Sequence, residues 1–111
     1  MKRLFVPLTV LAFEDFRDNG KEVEVRRCER QYAQQHIILD REVELRRCYS
    51  GASLWGTIID VRTGTLDEVI GAYDLRIVEP CCANVEDAVR ENRELLGDAE
   101  RYIAFRMLIR K

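Results

Sequence analysis

Residues 19–26, with the sequence NGKEVEVR, combine a glycine turn with four charged residues, which are Lys21, Glu22, Glu24 and Arg26. The alternating pattern predicts a strand that places Glu24 and Arg26 on one face, roughly 6.5 Å apart along the strand. A carboxylate and a guanidinium at that spacing could hold a small planar ligand, because arginine offers a rigid fork of donors and stacks on flat rings. Lys21 adds a point charge, or a general base if burial favours its neutral form. The alternative is a solvated strand face whose ion pairs contribute little.

Other kinds of site find little support in the sequence. Neither a G-x-G-x-x-G nor a G-x-x-x-x-G-K-[ST] phosphate loop occurs, and the single histidine, His36, cannot define a triad. The four cysteines lack the C-x-x-C spacing typical of zinc sites, so we predict no metal and no cofactor. They are interpreted as small, mostly buried apolar residues with free thiols, although an oxidising compartment would allow a disulfide between Cys28 and Cys48. They are Cys28, Cys48, Cys81 and Cys82.

Composition sets further bounds. The 111 residues are 47% hydrophobic and 34% charged, with a formal net charge of −2. These values favour a single domain that spans residues 1–111, and they argue against a generally basic nucleic-acid-binding protein. No apolar run reaches the ~20 residues that a membrane span needs. The start, MKRLFVPLTVLAF, has some features of a signal peptide but no small-residue cleavage site follows, so we expect a strand leading into a helix and a cytoplasmic location.

Hydrophobic periodicity predicts five strands and three short helices. The predicted strands cover residues 3–7, 22–28, 42–49, 54–62 and 102–110, and residues 75–79 are a further possible strand. The predicted helices cover residues 9–19, 65–73 and 84–96, and residues 29–40 are predicted to be a loop with a possible helical turn. Without regular βαβ alternation, this order favours an α+β domain with a small, strongly bent sheet or barrel.

Two segments of the sequence are nearly identical. EVEVRRC (22–28) and EVELRRC (42–48) lie twenty residues apart, but no similarity extends beyond them. We interpret them as two adjacent strands with the same alternation rather than as a duplicated unit. If the strands are neighbours, their glutamates and arginines could pair across them.

The chain resembles the ASCH family of PUA-like β-barrels. The resemblance rests on Lys21, Glu24 and Arg26, which match the family's K-x-x-E-x-R pattern, and on DREVEL (40–45), where the family brings a polar turn into a barrel strand. The glycine stands directly before Lys21 instead of two residues before it. The resemblance implies a small barrel of about five strands with short flanking helices. It also implies a cleft, lined by the motif residues, that binds RNA or single modified nucleotides.

One branch of the family resembles amidohydrolases that remove the acetyl group from N4-acetylcytidine. That branch uses a lysine, a threonine three residues later, and a more distant glutamate. Lys21 matches the lysine, but Glu24 stands at the threonine position. Glu68 and Glu79 are candidates for the later glutamate by position.

Three functional hypotheses remain open. The first is a binding module for RNA or a modified nucleoside, with Lys21, Glu24, Arg26, Arg46 and Tyr49 as ligand-binding residues. It is favoured by clustered arginines and by aromatic residues that could stack on bases. The second is a small hydrolase, either N4-acetylcytidine amidohydrolase-like or a ribonuclease, with Lys21 and Glu24 as catalytic residues. The third is a protein-interaction module.

Overall fold

Residues 1–110, the part of the chain that this computed structural model describes, form one five-stranded sheet and four short helices. The strands are β1 (Leu4–Leu8), β2 (Val23–Arg27), β3 (Glu42–Arg47), β4 (Ser53–Gly64) and β5 (Tyr102–Arg110). The helices are α1 (Val10–Asp18), α2 (Leu66–Gly71), α3 (Leu75–Val78) and α4 (Val85–Leu96), and two 3-10 turns span Arg30–Tyr32 and Gln34–His36. The predicted α+β class is confirmed.

The sheet curls into a half-barrel whose edges are β1 and β2. Its strand order is β1-β3-β4-β5-β2; β1 runs parallel to β3, and all other neighbours are antiparallel. An irregularity between Ile58 and Asp60 in the long strand β4 shifts its register with β5, and such bulges bend a sheet. Arg26 on β2 donates from Nη2 to the carbonyl of Pro7 on β1 over 2.7 Å. The two edge strands therefore meet through one arginine.

Two hydrophobic clusters lie on opposite faces of the sheet and share strand β5. Ile103 and Phe105 belong to the cluster inside the half-barrel, together with Phe13 and Phe16 of α1. Tyr102 and Ala104 belong to the second cluster. That cluster joins β2 and β5 to α2, α3 and α4 through apolar residues, among them Val23, Val25, Leu66, Val69, Ile70, Val78, Ala88 and Val89. Because β5 is covered on both faces, the strand must be apolar on both of them near its start.

Most predicted elements are confirmed, and one is wrong. The five main strands and the helices predicted at 9–19, 65–73 and 84–96 are present, and the predicted loop carries the two 3-10 turns. Residues 75–79, a possible strand in the sequence, instead contain helix α3. Asp74 caps this helix by accepting a hydrogen bond from the backbone N–H of Arg76, which favours a helical turn over an extended chain.

Two further interpretations of the sequence are also wrong. The similar strands β2 and β3 are not neighbours, because β5 and β4 lie between them, so their charges do not pair across strands. The cysteines carry free thiols as predicted, but none is fully buried. Cys48 is exposed in the turn after β3, and Cys81 is exposed in the loop before α4. Within residues 1–110, no helix is both long enough and apolar enough to cross a membrane.

Candidate functional site

A cleft of about 840 Å³ opens between the edge strand β2, helix α1 and helix α4. Lys21, Glu24 and Arg26 lie on one wall, and Glu79 follows α3 near the base of that wall. The opposite wall comes from α4 through Glu91, Asn92 and Leu95. The cleft therefore collects residues from distant parts of the chain around the motif.

Lys21 is buried, with 3% of its surface exposed, and the end of α1 fixes its position. Gly20 before it adopts φ +80°, a left-handed conformation that glycine tolerates and that turns the chain from α1 into β2. The Lys21 ammonium donates to the carbonyl of Val78, lies 3.2 Å from Oε1 of Glu79, and is 5.3 Å from the centre of the Phe16 ring. The amine is thus paired inside the wall of the cleft.

Glu24 and Arg26 form an ion pair along strand β2. Both Nε and Nη2 of Arg26 donate to Oε2 of Glu24, over 3.0 and 2.7 Å. The guanidinium also lies over the Tyr32 ring, with its carbon 5.0 Å from the ring centre, and bonds the Tyr32 hydroxyl over 3.2 Å. Among residues 1–110, no donor bonds the other oxygen, Oε1 of Glu24. Arg26 therefore orients the carboxylate and leaves one oxygen free to accept.

Arg46 and Tyr49 lie outside the cleft lining, in a second glutamate–arginine cluster. Its centre is Glu44, which is 3% exposed. This carboxylate accepts bonds from Ser53, Arg3 and Arg46. Bonds from Ser53 first, and then from the two arginines, lower the pKa of Glu44 from 4.5 to about 2. Arg46 also bonds the carbonyl of Tyr49, whose side chain is exposed. A ligand contact for these two residues stays a prediction.

Glu79 is the later glutamate that the structure brings to Lys21, whereas Glu68 lies elsewhere. Glu68 forms a reciprocal capping box with Thr65 at the start of α2. The contribution of α4 was not predicted from the sequence. Glu91 and Leu95 are four residues apart and so share one side of that helix, a signal that could have marked a second wall once the helix was recognised.

Comparisons with known proteins support the fold. The sequence matches no protein-family model and no curated protein. The structure is similar to that of the hypothetical protein PH0355, with a TM-score of 0.81, 15% identity, and coverage of 98% of this chain and 100% of that one. It is also similar to ASCH from Zymomonas mobilis, with a TM-score of 0.65 and 15% identity over 94% of this chain and 65% of the other. The protein PF0455 from Pyrococcus furiosus gives a TM-score of 0.69 at 14% identity, covering 97% of each chain. The chain therefore has the PUA-like fold of ASCH domains that its sequence predicted.

Proposed function

We propose that the cleft binds the planar base of a modified nucleoside, either free or as an unpaired base of RNA. The observation that carries this proposal is the Glu24 carboxylate, which Arg26 orients through one oxygen in the same cleft that Lys21 lines. An oriented carboxylate oxygen can accept a hydrogen bond from an exocyclic amine or a ring N–H of a base. Hydrogen bonds to base edges are the means by which proteins recognise unpaired bases. A volume of about 840 Å³ is within the range of small-molecule sites.

The test measures the binding of a panel of modified nucleosides. Binding is detected by calorimetry and by the change in melting temperature that each ligand causes. Glu24→Gln keeps the shape of the side chain but replaces a charged acceptor by an amide. A hydrogen bond to a charged group is worth about 1.5–3 kcal/mol, so the variant should bind at least ~10-fold more weakly. Glu22→Gln is the matched control, because Glu22 pairs with Arg106 and does not line the cleft. Equal loss in both variants, or no loss in either, would count against a role for Glu24.

A second candidate function, hydrolysis of an amide on a modified base, is favoured by the pairing of Lys21 with Glu79. The amidohydrolase branch that the sequence resembles needs a lysine and a later glutamate, and here the two side chains lie 3.2 Å apart. In this proposal Lys21 stabilises negative charge that develops on the acetyl oxygen of N4-acetylcytidine. Glu24 takes a proton from the water that attacks the acetyl carbon and returns it to N4 as the C–N4 bond breaks, so that acetate and cytidine are released.

Mass spectrometry of a nucleoside pool distinguishes the two candidates. Loss of N4-acetylcytidine with the appearance of cytidine, absent in a folded Lys21→Met variant, would establish the hydrolase. Binding without turnover would support the binding module. A stable complex with another protein, without affinity for any nucleoside or RNA, would support an interaction module instead.

We also propose a cytoplasmic location, which the four free thiols favour.

A further inference from the structure

The outer face of β1, β3 and the first half of β4 carries a row of aromatic side chains. Helices α2, α3 and α4 pack on β2 and β5, and α1 packs inside the half-barrel. The strand register places Phe5 beside Glu44 and Glu44 beside Trp55, so the three side chains share the outer face. Adjacent strands are about 4.8 Å apart, so the backbones of Phe5 and Trp55 are separated by roughly 10 Å. Both rings are half-buried, and the face therefore offers two separate rings.

An arginine lies over each of these rings. The guanidinium carbon of Arg3 is 5.7 Å from the centre of the Trp55 ring, and that of Arg46 is 4.7 Å from the centre of the Phe5 ring. Glu44 fixes both arginines, because Nε of Arg3 donates to Oε1 over 2.8 Å and Nε of Arg46 donates to Oε2 over 2.9 Å. One buried carboxylate thus holds two guanidinium groups against aromatic rings, and a ligand that contacts them need not order them first.

The charges of this face leave a positive excess. Two arginines share the single carboxylate of Glu44, whereas the neighbouring pair of Arg110 and Glu42 is neutral. The side chain of Arg3 is 53% exposed, and within residues 1–110 neither of its Nη groups bonds an acceptor. Arg47, at the end of β3, is also exposed and makes no ion pair in the described part of the chain. A phosphate group would therefore meet net positive charge and free donors here.

The face is continuous with the cleft across strand β1. Arg26, which lines the cleft, donates to the carbonyl of Pro7 over 2.7 Å, and Pro7 lies in register with Arg46 on β3. The ring of Tyr49, in the turn after β3, is 6.5 Å from the ring of Phe5 and is 75% exposed. A bound chain can therefore pass from the cleft to the outer face over a single strand.

We infer that this arginine–aromatic face binds the chain of a single-stranded RNA whose target base lies in the cleft. The face comprises Arg3, Phe5, Arg46, Tyr49 and Trp55. Unpaired bases stack on aromatic rings and on the planes of arginine side chains, and arginine also binds the phosphates between them. The inference rests on the proposed function and narrows it from a free nucleoside to a base within an RNA chain.

The first experiment compares unpaired and paired RNA by fluorescence anisotropy. The probes are a labelled single-stranded RNA of about eight nucleotides, a length typical of single-strand sites, and a hairpin in which the same sequence is paired. Paired bases cannot stack on the face, so the single strand should bind at least about fivefold more tightly. Attraction to phosphates alone would favour the hairpin, whose charge density is higher. Equal binding, or tighter binding of the hairpin, would overturn the inference.

Variants of Tyr49 test the stacking. Loss of one stacked base should weaken binding of the single strand at least about fivefold in Tyr49→Ala. Tyr49→Phe keeps the ring and should bind as tightly as the native protein. Because the side chain is mostly exposed, both variants should fold normally, and equal melting temperatures would verify this. Unchanged binding by Tyr49→Ala, or equal weakening by Tyr49→Phe, would contradict stacking at this position.

Variants of arginine test the phosphate contact through its dependence on salt. Each phosphate contact in a single strand contributes about 0.7 to the slope of log affinity against log salt concentration, so Arg3→Ala should make this slope shallower by about that amount. Arg76→Ala is the matched control, because Arg76 is an exposed arginine of α3 that pairs with Asp74. An equal change of slope in both variants, or none in either, would contradict a phosphate contact at Arg3.

The cleft variant Glu24→Gln separates this inference from the proposed function. Nucleoside binding that Glu24→Gln weakens, together with RNA binding that Tyr49→Ala leaves unchanged, would overturn the arginine–aromatic face and leave the proposed function standing. The opposite result is binding of the single strand that depends on Tyr49 and Arg3, without binding of any nucleoside and without an effect of Glu24→Gln. That result would refute base binding in the cleft and leave the face standing as a surface for single-stranded RNA.

Discussion

Glu24 and Glu44 occupy equivalent positions in the two similar strands, yet their surroundings give them different properties. Each is bonded through Oε2 by the arginine two residues later, and each arginine lies against an aromatic ring, Tyr32 or Phe5. Glu44 is saturated, because Ser53 and Arg3 add further bonds. Glu24 keeps one free oxygen. The same motif therefore produces a structural ion pair in β3 and an open acceptor in β2.

Replacing Glu44 should destabilise the protein in a pH-dependent way. Its folded-state pKa of about 2 lies below the usual 4.5, so the ionised form stabilises the fold by about 3 kcal/mol. This contribution is complete above pH ~4.5 and is lost as the pH falls towards 2. Glu44→Gln should thus lower the free energy of unfolding, measured in urea, by about 3 kcal/mol at pH 7. At pH 3 the difference from the native protein should be smaller.

A control for this effect is available on the same strand. Glu42 is exposed and pairs with exposed Arg110, so Glu42→Gln should change stability by less than about 1 kcal/mol at any pH. If both variants lowered the free energy of unfolding by the same amount, the ionised Glu44 side chain would not stabilise the fold.

The elements themselves were largely predictable, whereas their neighbours in space were not. Alternation in EVEVRRC and EVELRRC correctly predicted two strands, because a half-buried strand repeats every two residues. Alternation does not determine which strands pair, and the two were wrongly placed side by side. It also could not show which elements cover the apolar face of β2. Val23 and Val25 pack under α2, α3 and α4, which come some forty or more residues later in the chain.

Helix α4 depends on its cap to hold the second wall of the cleft. The side chain of Asn84 accepts a hydrogen bond from the backbone N–H of Asp87 over 2.8 Å. Asn84→Ala should lower the free energy of unfolding by about 1 kcal/mol, since the N–H groups of the first turn would lose this acceptor. Asn84→Asp should retain the stability, because aspartate also caps and its charge suits a helix N-terminus. Chemical denaturation of both variants would check this, and equal losses in both would contradict it.

At the scale of the whole molecule, the sequence predicted part of the site. Lys21, Glu24 and Arg26 lie in one cleft because the chain turns at Gly20 directly into β2. Arg46 and Tyr49 were grouped with them because of their charge, aromatic ring and position in the chain. However, β3 carries Arg46 to the Glu44 cluster instead. The full lining of the cleft was also hidden, because residues from α1, the segment after α3, and α4 combine there only in the folded state.

The two hydrophobic clusters should unfold together, because β5 contributes to both. Ile70 offers a test, because it is fully buried in the second cluster, which contains the helices α2, α3 and α4. Ile70→Ala should lower the free energy of unfolding by about 2–5 kcal/mol. The loss should appear equally in the far-ultraviolet signal of the helices and in the fluorescence of Trp55, the single tryptophan, which lies on β4 outside that cluster. The matched variant Ile58→Ala removes a buried side chain from the cluster inside the half-barrel and should shift both signals together as well. The contrary result for Ile70→Ala is a shift of only the far-ultraviolet unfolding transition to a lower urea concentration, with the Trp55 fluorescence transition unchanged. In that case the helices and the half-barrel would be separate folding units.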